Sequence, residues 1–236
     1  MLDELFTLSQ TLLRLRLREF KRSFLRDTPL TNRFSIIVGQ RGVGKTTAMV
    51  QHLLDRYAGD LYTRKALYVQ ADHFLVNRTS FYEIAESFSN MGGELLCLDE
   101  IHKYPDWSME LKSMFDTFPN LRILASGSSA LEIGRGSHDL SRRALVYRMH
   151  GMSLREYIGM VCGISFDLLA LESLLSNHQR LADTIISQLE TKGLKVLALF
   201  NDYLLQGFYP YFQEYGDRAQ FFLTLEQNVR TTLESD

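Results

Sequence analysis

Eight consecutive residues, Gly39-Gln40-Arg41-Gly42-Val43-Gly44-Lys45-Thr46, combine three glycines, a lysine and a hydroxyl at a spacing suited to phosphate. Glycines at 39, 42 and 44 let backbone N–H groups turn inward with no Cβ in the way. Lys45 has the reach for the β- and γ-phosphates of a nucleoside triphosphate, and the Thr46 hydroxyl suits Mg²⁺. Residues 39–46, continued by Thr47, form the expected nucleotide-binding set. The bland alternative, a purely structural loop, does not account for the lysine and hydroxyl that follow the last glycine.

A second group of chemically capable residues is the acid pair Asp99-Glu100. It closes the run Glu94-Leu95-Leu96-Cys97-Leu98, whose unbroken apolar character suits a strand buried on both faces of a parallel sheet. Side chains at the carboxyl end of such a strand emerge beside a phosphate loop. The pair therefore has the form of a Walker B motif. Asp99 is expected to hold Mg²⁺ with Thr46, by the preference of a hard cation for oxygen. Glu100 is then placed to orient or deprotonate the attacking water. An Asp-Glu pair alone is weak, since acids often end strands; downstream of the loop it gains force.

Further candidates are single residues. Ser126 and Ser128 end another strand, Leu121–Ala125, where a hydroxyl can bond the γ-phosphate or the water; Ser128 is preferred as this sensor. A serine-rich turn capping a helix is the competing reading. Arg143, with Arg142 beside it, precedes a fifth strand at 144–149 and is the candidate for supplying positive charge to a phosphoryl-transfer transition state, in cis or to a neighbour's site. Arginines bound to carboxylates or solvent are the alternative. His102 and Lys103 lie near the γ-phosphate end, and scaffold roles are favoured for both. Trp107 reads as a packing anchor at a helix start.

The elements that must position these groups follow from periodicity. Phe34–Val38 is a strand, residues 47–54 a helix, and 65–70 a second strand. Residues 79–90 form an amphipathic helix capped by Thr79 or Ser80 and stopped by Met91-Gly92-Gly93. Residues 2–25 read as one helix, although Leu13–Arg18 alternates as a strand would. Its basic face suggests a nucleic acid or membrane surface, against the plainer reading of a solvated face. Gly134-Arg135-Gly136-Ser137-His138 reads as a loop. From His150 onward strand patterns cease: a helix starts at Ser153 with a capping-box spacing to Glu156, and helices follow at 166–177, 178–191 and 194–206.

Composition narrows the class. The chain has 236 residues, 45% hydrophobic and 23% charged, with a formal net charge of −2. That length buries a substantial core, and the charge gives no global basic field of a constitutive nucleic-acid binder. Two cysteines, Cys97 and Cys162, indicate no disulfide framework. No apolar run approaches the ~18 residues that span a bilayer, and Met1-Leu2-Asp3-Glu4 lacks the basic start of a signal peptide. A cytoplasmic protein with no membrane partner is expected.

Five strings together carry a family resemblance: the phosphate loop, Leu-Asp-Glu-Ile-His-Lys-Tyr-Pro-Asp-Trp at 98–107, Ser-Gly-Ser-Ser-Ala at 126–130, Ser-Leu-Arg-Glu-Tyr at 153–157 and Tyr-Leu-Leu-Gln-Gly-Phe-Tyr-Pro at 203–210. The chain resembles the archaeal and bacterial AAA-type P-loop ATPases that usually carry a C-terminal domain of unknown function. The resemblance implies an α/β P-loop NTPase core with a five-stranded parallel sheet of order 5-1-4-3-2, the additional-strand type, followed by a small helical or winged-helix-like lid. After an N-terminal helical segment over 1–30, read from its own pattern, it implies an AAA-type ATP-binding core over 31–160 and a helical lid region over 161–236. Family members continue past the point matching Asp236, so a fragment is expected. ATP and Mg²⁺ are the implied cofactors, and no Asn-Lys-x-Asp guanine reader appears. One departure is that Arg142-Arg143 stands where the family usually has Gly-Arg. The function expected is an ATP-hydrolysing molecular switch coupled to a protein partner or to self-association. The rival is a DNA-acting ATPase of helicase-loader or transposition type, supported only by segment 12–26 and Arg135, Arg142 and Arg143.

Overall fold

Short apolar runs of this sequence become parallel strands because their side chains are apolar on both faces and need cover on both. In the computed structural model, which describes residues 1–127, 140 and 142–235, five strands form one sheet: β1 (Phe34–Val38), β2 (Ala66–Gln70), β3 (Leu95–Asp99), β4 (Arg122–Gly127) and β5 (Leu145–Arg148). The spatial order is β2-β3-β4-β1-β5, with every pairing parallel. Read from the other edge, this is the expected 5-1-4-3-2. β1 and β3 are buried at every residue, whereas β5, at an edge, is largely exposed.

The register fixes which groups share an end of the sheet. Val38 stands opposite Gly127 and Gln70 opposite Asp99, so the loop after β1 and the acids after β3 emerge at one edge. That edge, at the carboxyl ends of the strands, is where α/β sheets bind ligands.

Helices cover both faces. They are α1 (Leu2–Arg16), α2 (Ser23–Asp27), α3 (Lys45–Arg56), α4 (Phe81–Asn90) and α5 (Trp107–Thr117). α4 opens with a capping box in which Ser80 accepts from the Glu83 N–H and the Glu83 carboxylate accepts from the Ser80 N–H. Trp107 is the first residue of α5 and is buried. α1 turns Leu5, Phe6, Ser9 and Leu13 inward, and the Ser9 hydroxyl accepts from the Tyr68 N–H at 3.1 Å. That bond satisfies a backbone donor on the edge strand β2.

The helix expected over 2–25 ends earlier, at Arg16. Leu17 and Arg22 are extended. The carbonyls of Arg18 and Phe20 accept from the Gln51 side chain at 2.7 and 3.0 Å. A continued helix would spend those carbonyls on its own N–H groups, so tertiary bonds override local propensity here.

Contacts divide the chain into two compact units, Met1–His150 with Leu225–Asp236, and Gly151–Thr224. The second unit contains α6 (Leu154–Cys162), α7 (Leu171–Glu190) and α8 (Val196–Asp202). Ser153 and Glu156 form the expected capping box of α6. Ile158, Leu189 and Leu199 make a small core, and Tyr157 packs against Tyr203 and Phe212. The two helices expected at 166–177 and 178–191 lie within α7 and meet at a kink, the non-helical backbone of Asn177 (φ −138°, ψ 27°), at the expected boundary, although the first begins only at Leu171. No strand occurs among the described residues of this unit, which is helical. A last helix, α9, spans Arg218–Ser235. No helix among the described residues is long and apolar enough to cross a membrane.

Candidate active site

β1 delivers the chain to the sheet edge, and residues 39–44 turn it back into α3. Gly42 (φ 85°) and Gly44 (φ 100°) take left-handed backbone that other residues rarely adopt. Gly39 is required for a different reason: a Cβ there would stand 2.2 Å from the Met149 carbonyl oxygen. α3 begins at Lys45, so the N–H groups and positive dipole end of its first turn face the loop.

Lys45 is buried, at 4% exposure, and its ammonium donates to the Gly39 and Gln40 carbonyls at 2.9 Å each. Burial pushes its pKa below the ordinary lysine range, and the negative charges of Glu100 and Asp99 oppose that fall. An incoming phosphate would replace two neutral acceptors with charged ones, which form stronger bonds to an ammonium.

Asp99 is 1% exposed and draws three hydroxyl donors. Thr46 Oγ1 and Tyr68 OH both donate to Oδ2 at 2.7 Å, and Ser126 Oγ donates to Oδ1. A buried carboxylate without a cation survives only when hydrogen bonds replace its water. Tyr68 comes from β2 and is itself fully buried. Burial and the adjacent Asp99 charge raise its pKa, keeping the phenol a donor. The sequence reading passed over Tyr68; the signal it offered was a hydroxyl-bearing residue near the carboxyl end of the strand beside β3.

Mg²⁺ fits this donor set. No group of three or more His, Cys, Asp or Glu among the described residues could hold a metal. The pair of one carboxylate and one hydroxyl suits an ion whose shell phosphate and water would complete.

Glu100 follows with φ 58°, a left-handed conformation uncommon for a residue with a side chain. Its N–H donates to Ser126 Oγ at 3.3 Å. Its carboxylate lies 3.4 Å from the Lys103 ammonium and 3.8 Å from His102 Nε2. Lys103 also pairs with Asp72 at 2.6 Å, and that hydrogen bond lowers the Asp72 pKa.

The structure thus brings Lys45, Thr46, Asp99, Glu100 and Ser126 to one place. Ser128, the preferred sensor serine, and the loop 134–138 lie outside the described residues. Arg143 is not in this cluster. It sits two residues before Leu145, which stands opposite Ser35 at the start of β1, so it flanks the other edge of the sheet, roughly four strand residues or ~13 Å away along the strand direction. Its guanidinium makes a two-bond pair with Asp116, Nε to Oδ1 and Nη2 to Oδ2, each 2.8 Å.

A parallel sheet of this order, with a glycine-rich loop between its interior strand β1 and α3, defines a P-loop protein of the AAA ATPase type. The family described as AAA domain matches residues 31–158, and the chain belongs to that family. Similar to it is an uncharacterized protein of Methanocaldococcus jannaschii, MJ1637, 34% identical over 151 residues. That match takes 61% of this chain and 31% of the relative, so the chain spans about a third of the relative's length. Solved structures of similar form include Caenorhabditis elegans PCH-2 (17% identity, TM-score 0.41, covering 92% of this chain and 63% of that one). Another is AMPPCP-bound DnaA from Aquifex aeolicus (17% identity, TM-score 0.41, 69% and 56%).

Proposed function

We propose that the chain is an ATP-binding and ATP-hydrolysing switch whose nucleotide state is read by a protein partner or a second copy. The observation that carries this reading is the Thr46–Asp99 hydrogen bond. It joins the helix after the glycine loop to the acid-bearing strand at the shared sheet edge, where a Mg²⁺–phosphate group would sit. In this reading residues 39–47 cradle the triphosphate, and Lys45 leaves its two carbonyls for the β- and γ-phosphates. Thr46 and Asp99 hold Mg²⁺, which when bound would neutralise charge on the phosphate oxygens. Glu100 orients the water and accepts its proton. Ser126, the other serine the sequence offered as a sensor, touches both Asp99 and the Glu100 N–H.

The test is ATP binding and hydrolysis for the wild type and Glu100→Gln. Hydrolysis is expected to fall by about 10²–10⁴ with ATP binding retained, the range for losing a positioned acid–base group. Unchanged hydrolysis would remove Glu100 from its role.

Arg143 serves, in this proposal, the site of a second copy. Its pair with Asp116 is partly exposed, at 27% and 48%, and exposed pairs of this kind hold weakly. Hydrolysis per chain should then rise with protein concentration and lose that dependence in Arg143→Ala. Concentration-independent turnover, unaltered by the substitution, would refute the trans role. The DNA-acting alternative loses part of its support, because Arg22 of the basic segment is buried.

A further inference from the structure

The basic segment after α1 carries more than surface charge. Arg22 is 7% exposed and splits its guanidinium between two backbone carbonyls: one nitrogen donates to Val43 O at 2.7 Å, the other to His150 O at 2.9 Å. Those acceptors are 21 and 128 residues away in sequence. One is inside the glycine loop, and the other is the last residue of the first unit's continuous stretch. The segment bearing Arg22 is anchored independently. Gln51 of α3 donates to the Arg18 and Phe20 carbonyls, and Lys21 pairs with Asp55 at 2.5 Å.

The geometry points to Arg22 as a positioning residue for phosphate binding, which holds the Val43–Gly44 peptide so that the Gly44 N–H faces the phosphate cradle. The inference rests on the nucleotide-binding reading above. The peptide is planar and, like every described bond in the chain, not cis, so the Val43 carbonyl and the Gly44 N–H point in opposite directions. Fixing the carbonyl against Arg22 therefore fixes the amide on the far side. Gly44 has left-handed backbone with no Cβ to hinder rotation, so this peptide would otherwise turn easily.

The same stretch braces the loop at its other end. The Met149 N–H donates to Val38 O at 2.7 Å, and the Met149 carbonyl packs where a Gly39 Cβ would be. Arg22 and the 149–150 backbone thus hold residues at both ends of the loop. A planar, five-donor guanidinium can serve two separated carbonyls at once, whereas a lysine ammonium is a compact point charge.

The experiment uses the full chain as wild type, Lys45→Ala, Arg22→Lys and Arg22→Gln. ATP affinity is measured by calorimetric titration, and amide hydrogen exchange is followed in the ligand-free protein. Both Arg22 variants should bind ATP roughly tenfold more weakly, a change of about 1.4 kcal/mol. They should exchange the amides of 43–46 faster while β1 and β3 stay protected. Lys45→Ala, which keeps the Arg22–Val43 bond but removes the ammonium, should lose ATP binding. Wild-type affinity together with wild-type loop exchange in both Arg22 variants overturns the proposal. So does faster exchange throughout the first unit, or unfolding of both variants, since either assigns Arg22 to general stability. If the wild type binds no ATP, the nucleotide reading fails, and the loop-exchange comparison alone decides whether Arg22 orders the loop.

Discussion

Tyr68→Phe removes one oxygen from the interior and leaves the ring that packs there. The lost hydroxyl donates to Asp99 Oδ2 at 2.7 Å. The carboxylate, 1% exposed, is closed to bulk water and, among the described residues, keeps Thr46 on that oxygen and Ser126 on the other. A hydrogen bond to a charged group is worth about 1.5–3 kcal/mol, and the isosteric ring adds no cavity term. For a chain of this size each kcal/mol moves the melting temperature by about 2–4 °C. The expected loss is therefore about 3–12 °C, read by circular dichroism on the ligand-free protein at neutral pH. Pairing the change with Asp99→Asn in a double-mutant cycle should give a coupling energy on the order of 1 kcal/mol or more. A melting temperature within about 1 °C of wild type, with zero coupling, would show that the phenol does not support the carboxylate.

Gly39→Ala puts a methyl group against the Met149 backbone oxygen, where neither side can rotate away, so the loop must shift; ATP affinity should fall by about tenfold or more. A variant that binds ATP as the wild type does would show that the loop tolerates the displacement. His52 on α3 is pushed below the ordinary histidine pKa first by burial and then by Arg56, with Asp55 opposing. The unfolded chain therefore takes up this proton before the folded one, so stability falls as pH drops below about 6.5. Urea midpoints at several pH values between 7 and 5 should show a shallower decline for His52→Gln, and parallel profiles would exclude the histidine as the cause.

Much of the framework was legible because it depends on short-range pattern. The glycine loop between an apolar run and a helix, and the acids ending a fully apolar run, report their places through spacing alone. The edge order of the sheet came from family resemblance rather than periodicity. What stayed hidden depends on long-range partners. Tyr68 reads as an ordinary strand aromatic until β2 is laid beside β3, and Arg22 reads as one arginine among many until the loop carbonyl above it is known. The helix expected over 2–25 failed for the same reason, since its propensity is sound but Gln51 claims two of its carbonyls. The break between the helices at 166–177 and 178–191 was legible, and it stands as the kink at Asn177.

The Thr46 hydroxyl has one proton, and that proton is already committed to Asp99. Whatever else approaches this oxygen meets only lone pairs. Threonine 46 is thus polarised into a one-way group that welcomes a cation and offers nothing to a bare phosphate oxygen. If the proposed nucleotide site is right, selectivity for a metal-bearing triphosphate over the free polyanion would begin with the setting of a single rotor before any ligand arrives.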